Sequence, residues 1–290
     1  MALERHEIVG SDNTNGISLK KYRSKGVTVT EISVTTDNGC RSLGKPVGKY
    51  ITLEVTPFDR VTDLFSNELD VLSGQIEALL PCDGTVLVAG LGNSSITADS
   101  LGPLAAEMIF STRHIEGEFA KSIGLSKLRK VAAVKTGVLG KTGIETGEII
   151  AGIVEKVKPS ALIVIDALAS RRLERLGTTV QLSTSGVVPG SGVGNARSEI
   201  SQHTMGIPVI SVGVPTVVDG ATLALDLMEQ AGIGNTEKAE EIIRKLGEGI
   251  TVAPKEIDLM TERASQFVAM GINCALQKNI SPEDLLAIVR

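Results

Sequence analysis

Thr85-Val-Leu-Val-Ala-Gly-Leu-Gly-Asn-Ser-Ser-Ile-Thr-Ala-Asp99 is the stretch on which the fold turns. Residues 85–89 form an apolar run without polar alternation, the pattern of a strand buried on both faces of a parallel sheet. The turn that follows is rich in Gly, Asn and Ser and ends in a carboxylate. A second run, Ala161-Leu-Ile-Val-Ile165, leads directly into Asp166. Ligands of open α/β sheets bind in the crevice past the carboxyl ends of the strands. Both acids are therefore expected just beyond strand ends, where such folds do chemistry.

Outward from these runs, strand and helix signals alternate. A strand at 85–89 is followed by a helix near 102–111, a strand at 131–134, a helix at 146–157 and a strand at 161–165. A further buried strand at 208–213 precedes a helix near 221–231, and helical stretches near 236–247, 255–278 and 282–289 finish the chain. Such alternation predicts an α/β fold with a mixed, largely parallel sheet and helices on both faces. Toward the N-terminus, Gly26–Val34 and Tyr50–Thr56 alternate with period two and read as half-buried strands. Asn38-Gly39 and Lys45-Pro46 between them are turn signals, so the pair reads as a hairpin or as two strands flanking a longer loop. Residues 67–80 carry helical spacing that stops at Pro81. Residues 1–26 read as a polar N-terminal segment and 236–290 as C-terminal helices. With no linker, repeat or low-complexity segment, 1–290 is expected to be a single domain.

Composition narrows the function. Hydrophobic residues make up 42% of the 290, enough for a sizeable core, but aromatic residues only 2%, so Val, Ile, Leu and Ala must build it. The formal net charge of −5 and the lack of a Lys/Arg cluster interleaved with aromatics argue against direct nucleic-acid binding. Cys40, Cys82 and Cys274 are odd in number and widely spaced, which fits neither a disulfide framework nor a zinc site. The first residues are charged, unlike a secretory signal, and no apolar run approaches the ~18 residues of a membrane span. A soluble intracellular protein is expected.

Gly90-Leu-Gly92 superficially resembles a dinucleotide loop, yet Pro103 suits a first helical turn and puts the helix start far beyond the glycines. No Walker loop or G-x-S-x-G elbow occurs. Asp99 has a plain structural reading as a helix N-cap, and Asp166 one as a loop anchor bonded to backbone N–H groups or to Arg171 or Arg172. The functional reading takes the two together. Adjacent strands lie about 4.8 Å apart, so their ends bring both acids into one crevice. Two close carboxyls cannot both ionise cheaply; one keeps a proton, which yields a general base and a general acid. Which acid takes which part stays open, because a coupled pair titrates as a unit. The loop from Ser183 to Asn195 is the longest small-residue stretch, and Gly190, Ser191, Gly192, Gly194 and Asn195 could offer backbone N–H groups to a peptide or an oxyanion; a plain surface loop is the alternative. Gly92 and Asn93 are placed with them as substrate-binding candidates. Of His6, His114 and His203, His203 alone lies where it could reach the crevice, although a surface or satisfied helix position is the preferred reading for it; a metal held by Asp99, Asp166 and His203 has acceptable ligand chemistry without a spacing motif in its favour.

Four ordered segments, Val88–Pro103, Ile163–Arg171, Pro189–Asn195 and Gly206–Asp219, resemble the germination protease family of spore-forming bacteria, with the likeness strongest from about 85 to 225. The resemblance implies an endopeptidase of the spore core that degrades small acid-soluble spore proteins at germination. It also implies a homotetramer made as a zymogen, and the phosphorylase/hydrolase-like α/β fold shared with hydrogenase maturation peptidases. Members are regarded as atypical aspartic peptidases without a metal or other cofactor, and their two motif aspartates fall on Asp99 and Asp166. Ala2-Leu-Glu4 resembles the start of a processed form, and Ala98 stands where the family commonly has Pro. Two other readings are kept: a nickel-dependent maturation-type peptidase of the same fold, and a non-catalytic binding protein built on the Gly-rich loops.

Overall fold

Along the run that opens the sheet, Val86 and Val88 point to one face while Leu87 and Ala89 point to the other, and all four are fully buried. The strand is therefore covered on both sides, and the rest of the fold follows from what covers it. The computed structural model describes residues 12–14, 16–61, 64, 67–115, 128–190, 198–234, 237–247 and 249–289. Its strands are β1 (Asp12–Thr14), β2 (Ile17–Ser24), β3 (Val27–Val34), β4 (Gly48–Glu54), β5 (Val86–Leu91), β6 (Val131–Gly137), β7 (Ala161–Ser170), β8 (Thr179–Ser183), β9 (Val209–Asp219) and β10 (Thr251–Val252). Its helices are α1 (Asp37–Leu43), α2 (Asn67–Leu79), α3 (Leu101–Glu107), α4 (Leu139–Thr142), α5 (Thr146–Val157), α6 (Gln202–Met205), α7 (Gly220–Gln230), α8 (Glu237–Gly247), α9 (Ile257–Leu276) and α10 (Pro282–Val289).

The described strands form one sheet in the order β1-β2-β3-β4-β8-β9-β7-β5-β6, with β10 alongside β9. β9, β7, β5 and β6 are parallel neighbours, and the strands from β1 through β8 to β9 are antiparallel. On one face, Val86, Val88, Ile163 and Ile165 pack with Leu72 of α2, Leu101 of α3 and Phe267 of α9. On the other, Leu87, Ala89, Leu162 and Val164 pack with Ile150 of α5 and Ile200. The mixed sheet with helices on both faces is as expected from the alternation of signals, with the parallel pairing confined to β9, β7, β5 and β6. The antiparallel half differs. Val27, Val29, Ile51 and Leu53 join the first core, but the opposite side of the same strands carries Lys21, Thr30, Thr52 and Gln181 and is left to a cleft.

Two readings of the sequence need correction, and one strand was not read at all. Residues 17–24 are not a plain polar segment but a strand, joined to β3 by the two-residue turn Lys25-Gly26, both at positive φ (49° and 88°) as a twisted hairpin requires. Thr179–Ser183 is a strand wedged between β4 and β9. Finally β7 does not stop at Ile165: it continues to Ser170 because β9 pairs it as far as Val218, so Asp166 lies within the strand. The two N-terminal strands read from the sequence are an antiparallel pair whose connection holds α1, capped at Thr36.

Candidate active site

β5 makes its last pair with β7 at Gly90 and Ile165. Asp166 is the next residue, so it stays paired to Gly213 of β9 on one side while the β5 side has opened. Alternation along β7 puts Asp166 on the same face as Leu162 and Val164, at the edge of a cleft of about 1420 Å³ that Asp99 also lines. Burial pushes the Asp166 carboxyl up to about 7, the nearby charge of Asp99 adds to this, and the Ala167 N–H opposes it.

Asp99 ends a 3-10 turn, Thr97–Asp99, immediately before α3. Its side chain is not the cap of that helix. Ser100 occupies the N-cap position, but its hydroxyl donates back to the Thr97 carbonyl at 2.9 Å and does not cap the helix, and the Asp99 carboxylate turns back to accept the Asn93 N–H at 2.8 Å. The same N–H also reaches the Asp99 carbonyl at 3.1 Å. This closure demands a glycine at 92, whose φ is +116° and where any Cβ would run into the Asp99 carbonyl oxygen. Gly90 and Gly102 let α3 lie directly on the strands: a Cβ on Gly102 would sit 2.5 Å from the Ile165 carbonyl oxygen and closer still to that of Leu91. The turn carrying Asp99 is thus brought over the end of the strand that carries Asp166 by backbone-to-backbone packing.

Of the other candidates, Gly92, Asn93 and Gly190 line the same cleft, Gly190 with φ +74°. Ser191, Gly192, Gly194 and Asn195 fall outside the described residues. His203 is exposed on α6 and away from the cleft, and among the described residues no three of His, Cys, Asp or Glu gather as a metal site. The Asp99, Asp166 and His203 ligand set is therefore not brought together. Ser183 and Ser185 share a hydrogen bond with each other, 2.8 Å between hydroxyls. What the sequence reading missed is the floor of the cleft. Lys21, Thr30, Thr52 and Gln181 form one cross-strand row that runs on through Gly213 to Asp166.

A family model described as Germination protease matches residues 1–232, which puts the chain among the peptidases. A germination protease of Caldanaerobacter subterraneus subsp. tengcongensis is 40% identical, with 98% of this chain and 95% of that protein covered. One of Clostridium tetani is 37% identical with 98% and 97% covered, and one of Bacillus licheniformis 32% identical with 97% and 92% covered. The chain belongs to the germination protease family. Among solved structures, the NiFe hydrogenase maturation protease HycI from Thermococcus kodakarensis KOD1 aligns with 68% of this chain and 98% of its own, at 16% identity and a TM-score of 0.37. Among the described residues no helix is long and apolar enough to cross a membrane.

Proposed function

We propose that this chain is an endopeptidase of the spore core that degrades small acid-soluble spore proteins at germination, with Asp99 and Asp166 as its acid–base pair. One observation carries the mechanism. Two carboxyls share a peptide-sized cleft, and one of them keeps its proton to about pH 7 through burial and the charge of the other. In the resting pair the proton lies with Asp166, and Asp99, held by the Asn93 N–H, is the base. A water between them loses a proton to Asp99 as its oxygen bonds to the scissile carbonyl carbon. The resulting tetrahedral adduct collapses when Asp166 gives its proton to the amide nitrogen and the C–N bond breaks, leaving a carboxyl and an amine. The proton on Asp99 then returns to Asp166 through the next water.

The row from Lys21 to Gln181 supports the substrate class. It is a polar track several strands wide that ends at Asp166 and suits an extended chain rather than a compact small molecule. Gly92, Asn93 and Gly190 border it, and we assign substrate contacts to these three and, from the sequence, to Ser191, Gly192, Gly194 and Asn195. We further propose a homotetramer, supported by apolar surface on α7 and α8. The test is hydrolysis of a purified small acid-soluble spore protein. Asp99→Asn and Asp166→Asn, each shown folded by circular dichroism, are expected to lose at least about 100-fold in kcat. Undiminished cleavage by both overturns the mechanism; full-length substrate after prolonged incubation with the unaltered protein overturns the substrate.

A further inference from the structure

The segment Val214-Pro-Thr-Val-Val-Asp219 stands out in the sequence but has no part in the chemistry so far. In the fold it contains a β-bulge. Leu168 of β7 pairs with Pro215 and Ala169 with Val217, so Thr216 is the one residue between them that the ladder skips. A bulge frees a side chain from the strict alternation of its strand and re-aims it. Here the freed side chain is fully buried, and its hydroxyl donates to the Ala98 carbonyl at 2.7 Å, one residue before Asp99.

The other backbone hydrogen bonds of the Asp99 turn close on themselves. Ile96 bonds back to Asn93, Asp99 to Ile96, and Ser100 to Thr97. Lys141 reaches only Ser95, at the exposed tip. The Thr216 bond is different in kind because it runs from the Asp99 end of the turn to β9, the strand lying directly beside the one that carries Asp166. Packing of α3 brings the turn over β7, and a hydrogen bond of this kind fixes its distance from the neighbouring strand.

We propose that Thr216 is a positioning residue whose hydroxyl, aimed by the bulge in β9, sets the place of Asp99 relative to Asp166. This rests on the two-aspartate reading. Thr216→Val keeps the shape and the β-branch but removes the donor and leaves the Ala98 carbonyl unpaired. Asp99 then drifts, the geometry of attack loosens, and the mutual charge effect between the acids weakens. A misplacement of about 1 Å at a reacting centre lowers rate by about 100-fold.

The experiment measures kcat, KM and the pH–rate profile for cleavage of a small acid-soluble spore protein by Thr216→Val, Thr216→Ser and the unaltered chain. For Thr216→Val we expect kcat to fall roughly 10- to 100-fold with KM within about twofold, and the limb of the profile that reports Asp166 to move to lower pH. Thr216→Ser keeps the hydroxyl and is expected within about threefold of the unaltered kcat, with its profile unmoved. The other charged groups of the cleft, Lys21, Lys45 and Glu54 beside the antiparallel strands and Arg171, Glu174 and Arg175 after β7, are unchanged, so the shift reads the separation of the two acids. Should Thr216→Val not fold, Thr216→Ala removes the same hydroxyl and is read in the same way. Normal kcat and profile in the folded valine or alanine variant overturn the proposal, as does a serine variant as impaired as the valine one, which would mark lost packing. If Asp99→Asn and Asp166→Asn abolish cleavage while Thr216→Val is normal, only the Thr216 proposal falls. If the asparagine variants cleave normally, the two-aspartate reading has failed and Thr216 has nothing to position.

Discussion

At Asp166 the folded protein holds a proton that the unfolded chain releases near pH 4. The folded carboxyl titrates at about 7, because burial and the charge of Asp99 both disfavour its ionised form. Between those two pH values the native state binds more protons than the unfolded one, so this group makes stability fall as pH rises, and above about 7 the full penalty of an ionised, buried Asp166 is present. Asp166→Asn removes that penalty while keeping the shape of the side chain. The variant is expected to melt higher than the unaltered protein at pH 8, by a difference on the order of a few kcal/mol, and to show little of that gain at pH 4, where the folded Asp166 is neutral and carries no ionisation penalty. Thermal unfolding at the two pH values checks this. A gain that is equal at both, or absent at pH 8, shows that Asp166 is not held protonated by the fold. The same residue is thus a burden on stability and, in the mechanism above, the stored proton of the reaction, which is the usual relation between strained groups and active sites.

Among the elements, α3 decides the geometry, and it does so through two glycines. Helix propensity alone says that Gly102→Ala should stabilise α3 by up to about 1 kcal/mol. The contact says otherwise: the added Cβ meets the backbone carbonyls of Leu91 and Ile165, which cannot swing aside as a side chain tip could. Overpacking of this kind costs about 1–3 kcal/mol and wins, so Gly102→Ala is expected to lower the melting temperature and to lower cleavage, since α3 must lift the Asp99 turn away from β7. Gly152→Ala in α5 is the control; a Cβ there meets nothing within 4 Å, and the substitution is expected to stabilise by about 0.5–1 kcal/mol. Equal effects at the two positions would contradict the packing argument. The same elements show what local sequence carries. β5, α2, α5 and the helices from α7 onward announced themselves through runs, periodicity and Pro or Gly stops; of the residues that line the cleft, Asp166, Gly92 and Asn93 stood out by following an apolar run, Asp99 by ending the turn after one, and Gly190 by lying in a small-residue stretch. β2 was hidden by Lys20, Lys21 and Arg23: Lys21 looks into the cleft, and Lys20 and Arg23 are exposed to solvent. β7 looked shorter than it is because a charged residue interrupts its apolar run. The row from Lys21 to Gln181 was beyond reach for a different reason: it exists only once β8 is inserted between β4 and β9, a long-range pairing that no window of sequence contains.

Across the whole molecule the sheet is asymmetric, with both faces of its parallel half covered and one side of the antiparallel half covered only in part, where Leu43 of α1 packs on Ile17 and Val34, and the rest of that side is the cleft. A second uncovered surface lies elsewhere and has no chemistry. None of the residues of α8 is buried, although its sequence is strongly amphipathic, and Ile242 and Leu246 are 50% and 71% exposed. Leu227, Ile233 and Ile250 extend the apolar surface on and around the neighbouring α7. A patch of this kind on a folded domain marks a contact surface. The charges of α8 suit a second copy of the same helix. Glu237, Glu240 and Glu241 stand in its first half and Arg244 and Lys245 in its second, with Lys238 the exception, so an antiparallel pairing across a two-fold axis sets acid against base at both ends. If the homotetramer is built on this seam, Leu246→Glu places a charge in its apolar centre and is expected to cut the particle to smaller species, measured by light scattering coupled to size-exclusion chromatography, with the melting temperature of each chain little changed. Reversing Arg244 and Lys245 to Glu should weaken assembly likewise, and reversing Glu240 and Glu241 to Lys in the same chain should restore it, because each half then meets a complementary partner again. An unaltered mass for Leu246→Glu, or a double reversal that does not recover what the single one lost, would rule out this seam as a contact between copies.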